Sequence, residues 1–296
     1  MKYLSYLVIL LLSASCCGSK GLAQNATYKN DIAVLLSEAE NKEATDDTLT
    51  ETMVNTVEEL DSAISESDSE LEHTTSKSDQ SEEIFDHSKW TTLLKKYVSD
   101  AGNVDYKGFK SDWKSLKEYI ASLGKNMPNS TWSKNDKLAY WINAYNALTV
   151  DLIVRNYPVK SIKDIKGPWS QRLWKLGEKL YDLNEIEHQI LRKMDEPRIH
   201  FGIVCASYSC PKLLNEAYIS ENLDDQLTAV TREFLADKNR NDLSENEIKL
   251  SKIFQWFAKD FKQNGTLIDF LNQYSEVSIS SSAKKRFLDY NWDLNE

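Results

Sequence analysis

Thiol chemistry is the first chemistry that the residue types allow. Of the four cysteines in the 296-residue chain, Cys205 and Cys210 lie five positions apart in the stretch RIHFGIVCASYSCP, residues 198–211. A cysteine attacks as its thiolate, and it needs a base within reach to take the proton. His200 stands ten positions before Cys210 and His188 twenty-two before it. Pro211 suits the first position of a helix, which would put Cys210 at the N-cap, where unpaired N–H groups and the helix dipole lower a thiol's pKa. Two readings follow. In one, Cys210 is a nucleophile and His200 its base; in the other, the two cysteines close a small disulfide worth about 2 kcal/mol to an exported protein. A metal site built from His188, His200, Cys205 and Cys210 would lack the Cys-x-x-Cys or His-x-x-x-His pairs that make zinc spacing specific. No metal and no other cofactor is expected.

Further polar residues could assist. Asn143 and Asn146 sit in the apolar run KLAYWINAYNALTV, and a buried amide left unpaired costs roughly 1–3 kcal/mol. They either tie neighbouring loops to that run or supply an oxyanion-stabilising group. Glu187 and His188 belong to LNEIEHQILR, where Asn184 followed three positions on by Glu187 has the form of a capping box. Glu187 is then a helix cap and His188 a half-buried helical residue, or both belong to a catalytic group.

These residues have to be positioned by elements. Ser133, with Asp136 three positions later, opens the strongest predicted helix, which stops before Pro158. Leu138, Trp141, Ile142, Tyr145, Leu148, Leu152 and Ile153 form one stripe, and Ala144, Ala147, Val150 and Val154 cover the far side. A helix apolar nearly all round is a buried central helix. Shorter helices are expected at 90–98, 112–123, 184–194, 221–236, 250–261 and 267–274, with Ser220 capping the fourth through the line Leu223, Leu227, Val230, Phe234. Residues 103–109 read as an extended piece, 179–181 as a short strand, and 198–204 as a strand bounded by Pro197. In a regular strand His200 would face away from Cys205, leaving Cys210 to fold back over the His200 side. The expected fold class is α+β, predominantly helical with a small β-sheet.

Composition divides the chain. Residues 1–23 read as a signal peptide: Lys2, a short apolar run too brief to span a bilayer, then small residues ending Gly21-Leu22-Ala23. Lipidation at Cys16 or Cys17 is the alternative, giving an N-terminal lipid anchor. Residues 24–88 form an acidic tether: 18 Asp or Glu against 3 Lys within 25–88, where disorder is the default. Residues 89–296 hold 28 acids against 31 bases, long enough for one globular domain with its own core. That balance, without a basic cluster interleaved with aromatics, excludes a nucleic-acid partner. The expected location is exported, whether periplasmic, cell-surface or secreted, with no membrane-spanning segment after the signal.

The motifs KLAYWINAYNALTV, LNEIEHQILR, EPRIHFGIVCASYSCPKL, LSKIFQWFAKDF and DYNWDLNE resemble, in order and spacing, the domain-of-unknown-function family 547 over nearly all of 89–296. The resemblance carries over Asn143 and Asn146, then Glu187, His188 and Arg192, then Arg198, His200, Cys205, Cys210 and Pro211. It implies an uncharacterised domain found in bacterial envelope or secreted proteins and in eukaryotic ones. A helix leading to a histidine-bearing strand is also similar, at fold level, to papain-like and transglutaminase-like proteins, with an asparagine where their cysteine would stand. Two functions remain in play: a thiol-dependent hydrolase or acyltransferase on a peptide or amide, and a non-catalytic ligand- or protein-binding module. In the second the ligand is a peptide or small molecule, Cys205 and Cys210 are a disulfide, and Trp141, Tyr145, Trp169 and Trp174 line the groove.

Overall fold

Helix α4 (Lys134–Asn156) is the axle of the molecule. The Ser133 hydroxyl accepts from the Asp136 N–H at 3.1 Å and the Asp136 carboxylate accepts from the Ser133 N–H at 2.8 Å, so two of the orphan donors at the helix start are satisfied. From Leu138 to Val154 every residue is buried, as the two-sided apolar pattern requires. Asp151 lies fully buried on this helix, yet its carboxylate receives the indoles of Trp113 and Trp174 and the Arg155 guanidinium, each at 2.6 Å. A buried charge needs that many partners.

The computed structural model describes residues 84–296. The segment 1–23, read above as a signal, and the expected tether up to residue 83 lie outside the described residues. The described residues belong to one compact unit. Phe85 and His87 pack before the domain start expected at residue 89. His87 is buried with its Nδ1 2.7 Å from the Tyr119 hydroxyl.

Around the axle pack α1 (Ser88–Tyr97), α2 (Tyr106–Ser111) and α3 (Trp113–Lys125), with Trp90 stacked on Tyr119 at 5.5 Å. Strands β1 (Trp174–Leu176) and β2 (Lys179–Tyr181) form an antiparallel hairpin whose turn uses Gly177 at φ +57°. Next come α5 (Leu183–Glu185), running on through wider and tighter turns to Lys193, and the one-turn helix α6 (Ile199–Gly202). Helix α7 (Leu223–Ala236) buries Leu223, Leu227, Val230 and Phe234 as its spacing predicts.

A second core forms beyond α7. Strands β3 (Asp242–Leu243), β4 (Glu247–Leu250) and β5 (Lys284–Phe287) lie in that order. β3 pairs antiparallel and β5 parallel to the central β4, with Leu250 opposite Phe287. Together with α8 (Ile253–Trp256) and α9 (Leu267–Tyr274) they enclose Phe201, Phe254, Phe261 and Phe270. The molecule is α+β, mostly helical with small sheets.

Four local expectations are corrected. Residues 198–204 are not a strand: β-branched and aromatic residues read as one, but Phe201 is drawn into the second core as part of a helical turn. The piece at 103–109 becomes the start of α2, because Asp105 accepts the Gly108 N–H at 2.7 Å and caps it. The helix expected at 250–261 is broken into the end of β4, α8 and a short turn at Asp260–Lys262. No helix begins at Pro211, so Cys210 does not sit at a helix N-cap. Among the described residues, no helix is long and apolar enough to cross a membrane.

Candidate functional site

The two cores leave a cavity of about 200 Å³ between them, and five residues singled out by type and spacing line it: Glu187, His188, His200, Cys205 and Cys210. The path of the chain explains why all five arrive. In the run IEHQI the backbone opens into a wider π-type turn, with the Leu191 N–H reaching back to the Ile186 carbonyl. Neighbours on a regular helix diverge by about 100°, but here Glu187 and His188 both reach the cavity. The helical turn at Ile199–Gly202 likewise cancels the alternation of a strand, so His200 and Cys205 face the same space instead of opposite sides.

The cysteine loop is tightly specified. Ala206 takes a left-handed conformation at φ +58°, uncommon for a residue with a Cβ, and the Cys210 N–H closes a turn on the Ser207 carbonyl at 3.0 Å. Arg240 donates to the carbonyls of Cys210 and Tyr208 at 2.8 and 2.5 Å. The result is two free thiols with their sulfurs 2.9 Å apart, in contact and not bonded as the disulfide reading expects.

Their surroundings differ. Burial pushes the Cys210 thiol up, but the Cys205 side chain, the Cys205 N–H at 3.0 Å, and the Tyr290 and Ser207 hydroxyls favour its thiolate and bring it down to about 7. Cys205, hydrogen-bonded to Cys210 and buried, is held well above the ordinary thiol range. The pair therefore carries one proton readily lost and one retained. The lowering that a helix N-cap would have supplied comes here from the loop's own donors.

His200 is buried, stacked on Phe257 at 4.0 Å, and its Nε2 lies 2.8 Å from Asp260 Oδ2. Asp260 also receives the Arg192 guanidinium through two bonds of 2.6 and 2.8 Å. Burial would raise the Asp260 carboxyl, but Arg192 and His200 outweigh it and hold it well below the usual carboxylate range. Burial pulls the His200 imidazole down against the pull of Asp260, which favours the neutral ring. With Nε2–H donated to Asp260, Nδ1 carries the lone pair. Both His200 and Cys210 line the cavity, with no hydrogen bond between them.

Glu187 is not a helix cap. Asp182 fills that role, accepting the Glu185 N–H at 2.8 Å. Glu187 is buried, accepts from the Tyr145 hydroxyl at 3.1 Å, and is pushed up to about 7 chiefly by burial. His188 is half-exposed, with Nδ1 3.1 Å from Arg192 Nη1. Burial and the neighbouring guanidinium both pull its pKa down.

Asn143 and Asn146 do not reach the cavity. Each amide clamps a backbone segment: Asn143 holds the Tyr218 carbonyl and N–H at 2.7 and 3.0 Å, and Asn146 holds the Gly202 carbonyl and the Val204 N–H, both at 2.9 Å. The amide nitrogens, the donors an oxyanion would need, are already given to the Tyr218 and Gly202 carbonyls, and neither side chain lines the cavity. The loop-tying alternative describes them.

Several residues of the site carry no sequence signal of their own. Asp260 does not line the cavity but holds a residue that does; it is one acid among many, and only the fold reveals it as the partner of His200. Tyr290 and Trp292 come from the C-terminal tail, and with Trp256 and Trp169 they form an aromatic mouth of rings 4.6–5.9 Å apart. Among the described residues, no group of three or more His, Cys, Asp or Glu side chains is arranged to hold a metal ion.

Neither the curated proteins nor the solved structures contain a match to this chain. A family model described as "Protein of unknown function, DUF547" matches residues 129–235. That span runs from the approach to α4 to the end of α7 and holds the thiols, His200, Glu187 and both asparagines. Asp260 and, of the aromatic mouth, Trp256, Tyr290 and Trp292 lie beyond it, while Trp169 lies within it. Residues 129–235 are thus similar to the DUF547 family.

Proposed function

We propose that the cavity is a thiol-dependent acyl-transfer centre, a hydrolase or acyltransferase acting on a peptide or amide. The observation that carries the reading is that Cys210 and His200, the latter anchored by Asp260, line one cavity. Cys210 Sγ attacks the substrate carbonyl carbon and its proton passes to His200 Nδ1, while Asp260 stabilises the imidazolium that forms. The imidazolium returns the proton to the leaving amine, and water or an acceptor nucleophile then cleaves the thioester. Glu187, which burial keeps protonated to near neutrality, is the cavity group able to donate to the developing oxyanion.

The test is the pH profile of iodoacetamide labelling at Cys210 in reduced protein, compared with His200→Gln. The expected result is a midpoint near 7, set by the loop's donors, and a rate that falls in the variant. A midpoint at the ordinary thiol value of about 8.5, or a rate indifferent to His200→Gln, would overturn the reading.

Binding without turnover is the second reading, favoured by the aromatic mouth of Trp169, Trp256, Tyr290 and Trp292. Ligand-induced change in tryptophan fluorescence that persists in Cys210→Ala, with no turnover in the parent, would favour it. We infer export from the signal-like residues 1–23. A mature N-terminus at Gln24, read by mass spectrometry, is expected, and a lipid-modified Cys16 or Cys17 is the alternative outcome.

A further inference from the structure

Two thiols in contact are more than acyl transfer requires. A single nucleophile needs a base and an oxyanion donor, yet Cys205 is placed with its sulfur 2.9 Å from that of Cys210, and its own N–H donates to the Cys210 sulfur at 3.0 Å. The Ser207 hydroxyl is 3.0 Å and the Tyr290 hydroxyl 3.3 Å from the Cys205 sulfur. Arg240 and the left-handed Ala206 hold the intervening loop, so the sulfurs are in place before any reaction. A disulfide bond of about 2.05 Å requires them to close by less than about 1 Å. Both sulfurs line the cavity, whose volume of about 200 Å³ admits a small molecule.

We propose that Cys205 and Cys210 form a hydroperoxide-reactive dithiol, in which Cys210 takes the peroxide oxygen and Cys205 resolves it to an intramolecular disulfide. In the first step the Cys210 thiolate attacks the distal peroxide oxygen. An S–O bond forms, the O–O bond breaks, and the departing oxygen takes a proton from water or from the Tyr290 hydroxyl to leave as an alcohol or water. Cys210 is then a sulfenic acid and the peroxide has been reduced by two electrons. In the second step the Cys205 sulfur attacks the Cys210 sulfur, the S–O bond breaks, and the oxygen leaves as water with the Cys205 proton. Two equivalents of a small thiol return the pair to the reduced state, becoming a disulfide themselves.

This reaction needs neither His200 nor an acyl substrate, so it stands or fails apart from the acyl-transfer reading. It also gives the low-pKa thiol and its high-pKa neighbour separate work, because the attacking sulfur has to be the thiolate while the resolving one supplies a proton.

The experiment uses the full chain, reduced and then exposed to one equivalent of hydrogen peroxide at pH 7. Trypsin cuts after Arg198 and Lys212, so a single peptide, 199–212, carries both cysteines and leaves Cys16 and Cys17 elsewhere. The expected result is a loss of two hydrogens from that peptide, reversed by dithiothreitol. The oxidation should run about tenfold faster than for a cysteine in an unstructured peptide, as the larger thiolate fraction requires. Cys205→Ser should stop at a sulfenic acid trapped on Cys210 by a dione reagent, and Cys210→Ser should lose the fast phase. Three results would overturn the proposal: a peptide unchanged by peroxide, oxidation no faster than in the unstructured peptide, or a disulfide already present on purification that dithiothreitol does not reduce without denaturant.

Discussion

Glu187 shows how much a single buried carboxyl can impose. Its folded pKa of about 7 exceeds the ordinary 4.5, so the folded state holds a proton that the unfolded state has released. The stabilisation is fully present below about 4.5 and is lost as pH rises through about 7, an effect of about 3 kcal/mol at 1.4 kcal/mol per unit. In Glu187→Gln that slope should vanish. Subtracting urea-denaturation curves of variant and parent between pH 4.5 and 8 should show the variant gaining relative stability with rising pH, and a flat difference would mean that Glu187 is solvated. The reverse sign belongs to His87, whose pKa burial lowers from 6.5 to about 4. Its contribution is present above 6.5 and is lost as pH falls toward 4, and in parent curves it offsets the Glu187 slope. Only the difference from the variant isolates Glu187.

At the scale of elements, α4 positions the site through its two asparagines. Asn146 holds the Gly202 carbonyl and the Val204 N–H, the backbone leading directly into Cys205. Asn146→Ala leaves two buried backbone groups unpaired and should cost about 2–3 kcal/mol. It should also move the Cys210 labelling midpoint up toward the ordinary thiol value, because the Cys205 N–H loses its place. Asn143→Ala should cost a similar amount of stability, since it frees the Tyr218 backbone, but leave the thiol midpoint unchanged. Equal shifts in both variants would show that α4 does not steer the cysteine loop through Asn146. The Ile199–Gly202 turn also packs closely against α7: a Cβ at Gly202 would lie 3.2 Å from Leu227 and 3.4 Å from the Tyr218 hydroxyl.

At the scale of the molecule, the C-terminal tail straps the site. The Tyr208 N–H donates to the Asp293 carbonyl at 2.7 Å, the Ser209 N–H to the Asn291 carbonyl at 3.2 Å, and the Asn295 N–H to the Ala206 carbonyl at 3.3 Å. The same tail reaches the N-terminal helices, where the Tyr106 hydroxyl donates to Asn295 at 2.7 Å. Ending the chain after residue 288 removes these bonds together with Tyr290 and Trp292. The thermal midpoint should fall by about 10 °C, taking a loss of a few kcal/mol at 2–4 °C each. Cys210 labelling should lose its low midpoint as well. An unchanged midpoint and unchanged labelling would show that the tail is dispensable.

Elements whose signals are local can be read from neighbouring residues. Ser133 and Asp136 announce the start of α4, the two-sided apolar run announces its burial, and the spacing from Leu223 to Phe234 describes one face of α7. The sequence also marked Cys210, His200 and Glu187 as residues worth joining. Tertiary structure decided how they join. The run IHFGIV has strand-forming residues, yet packing of Phe201 among Phe234, Phe254 and Phe261 makes it a helical turn. Asp260 becomes the anchor of His200 across 60 positions, and Tyr290 reaches Cys205 across 85. Capping and periodicity are written in neighbouring residues, whereas a buried ion pair or a strap depends on which distant surfaces the core brings together.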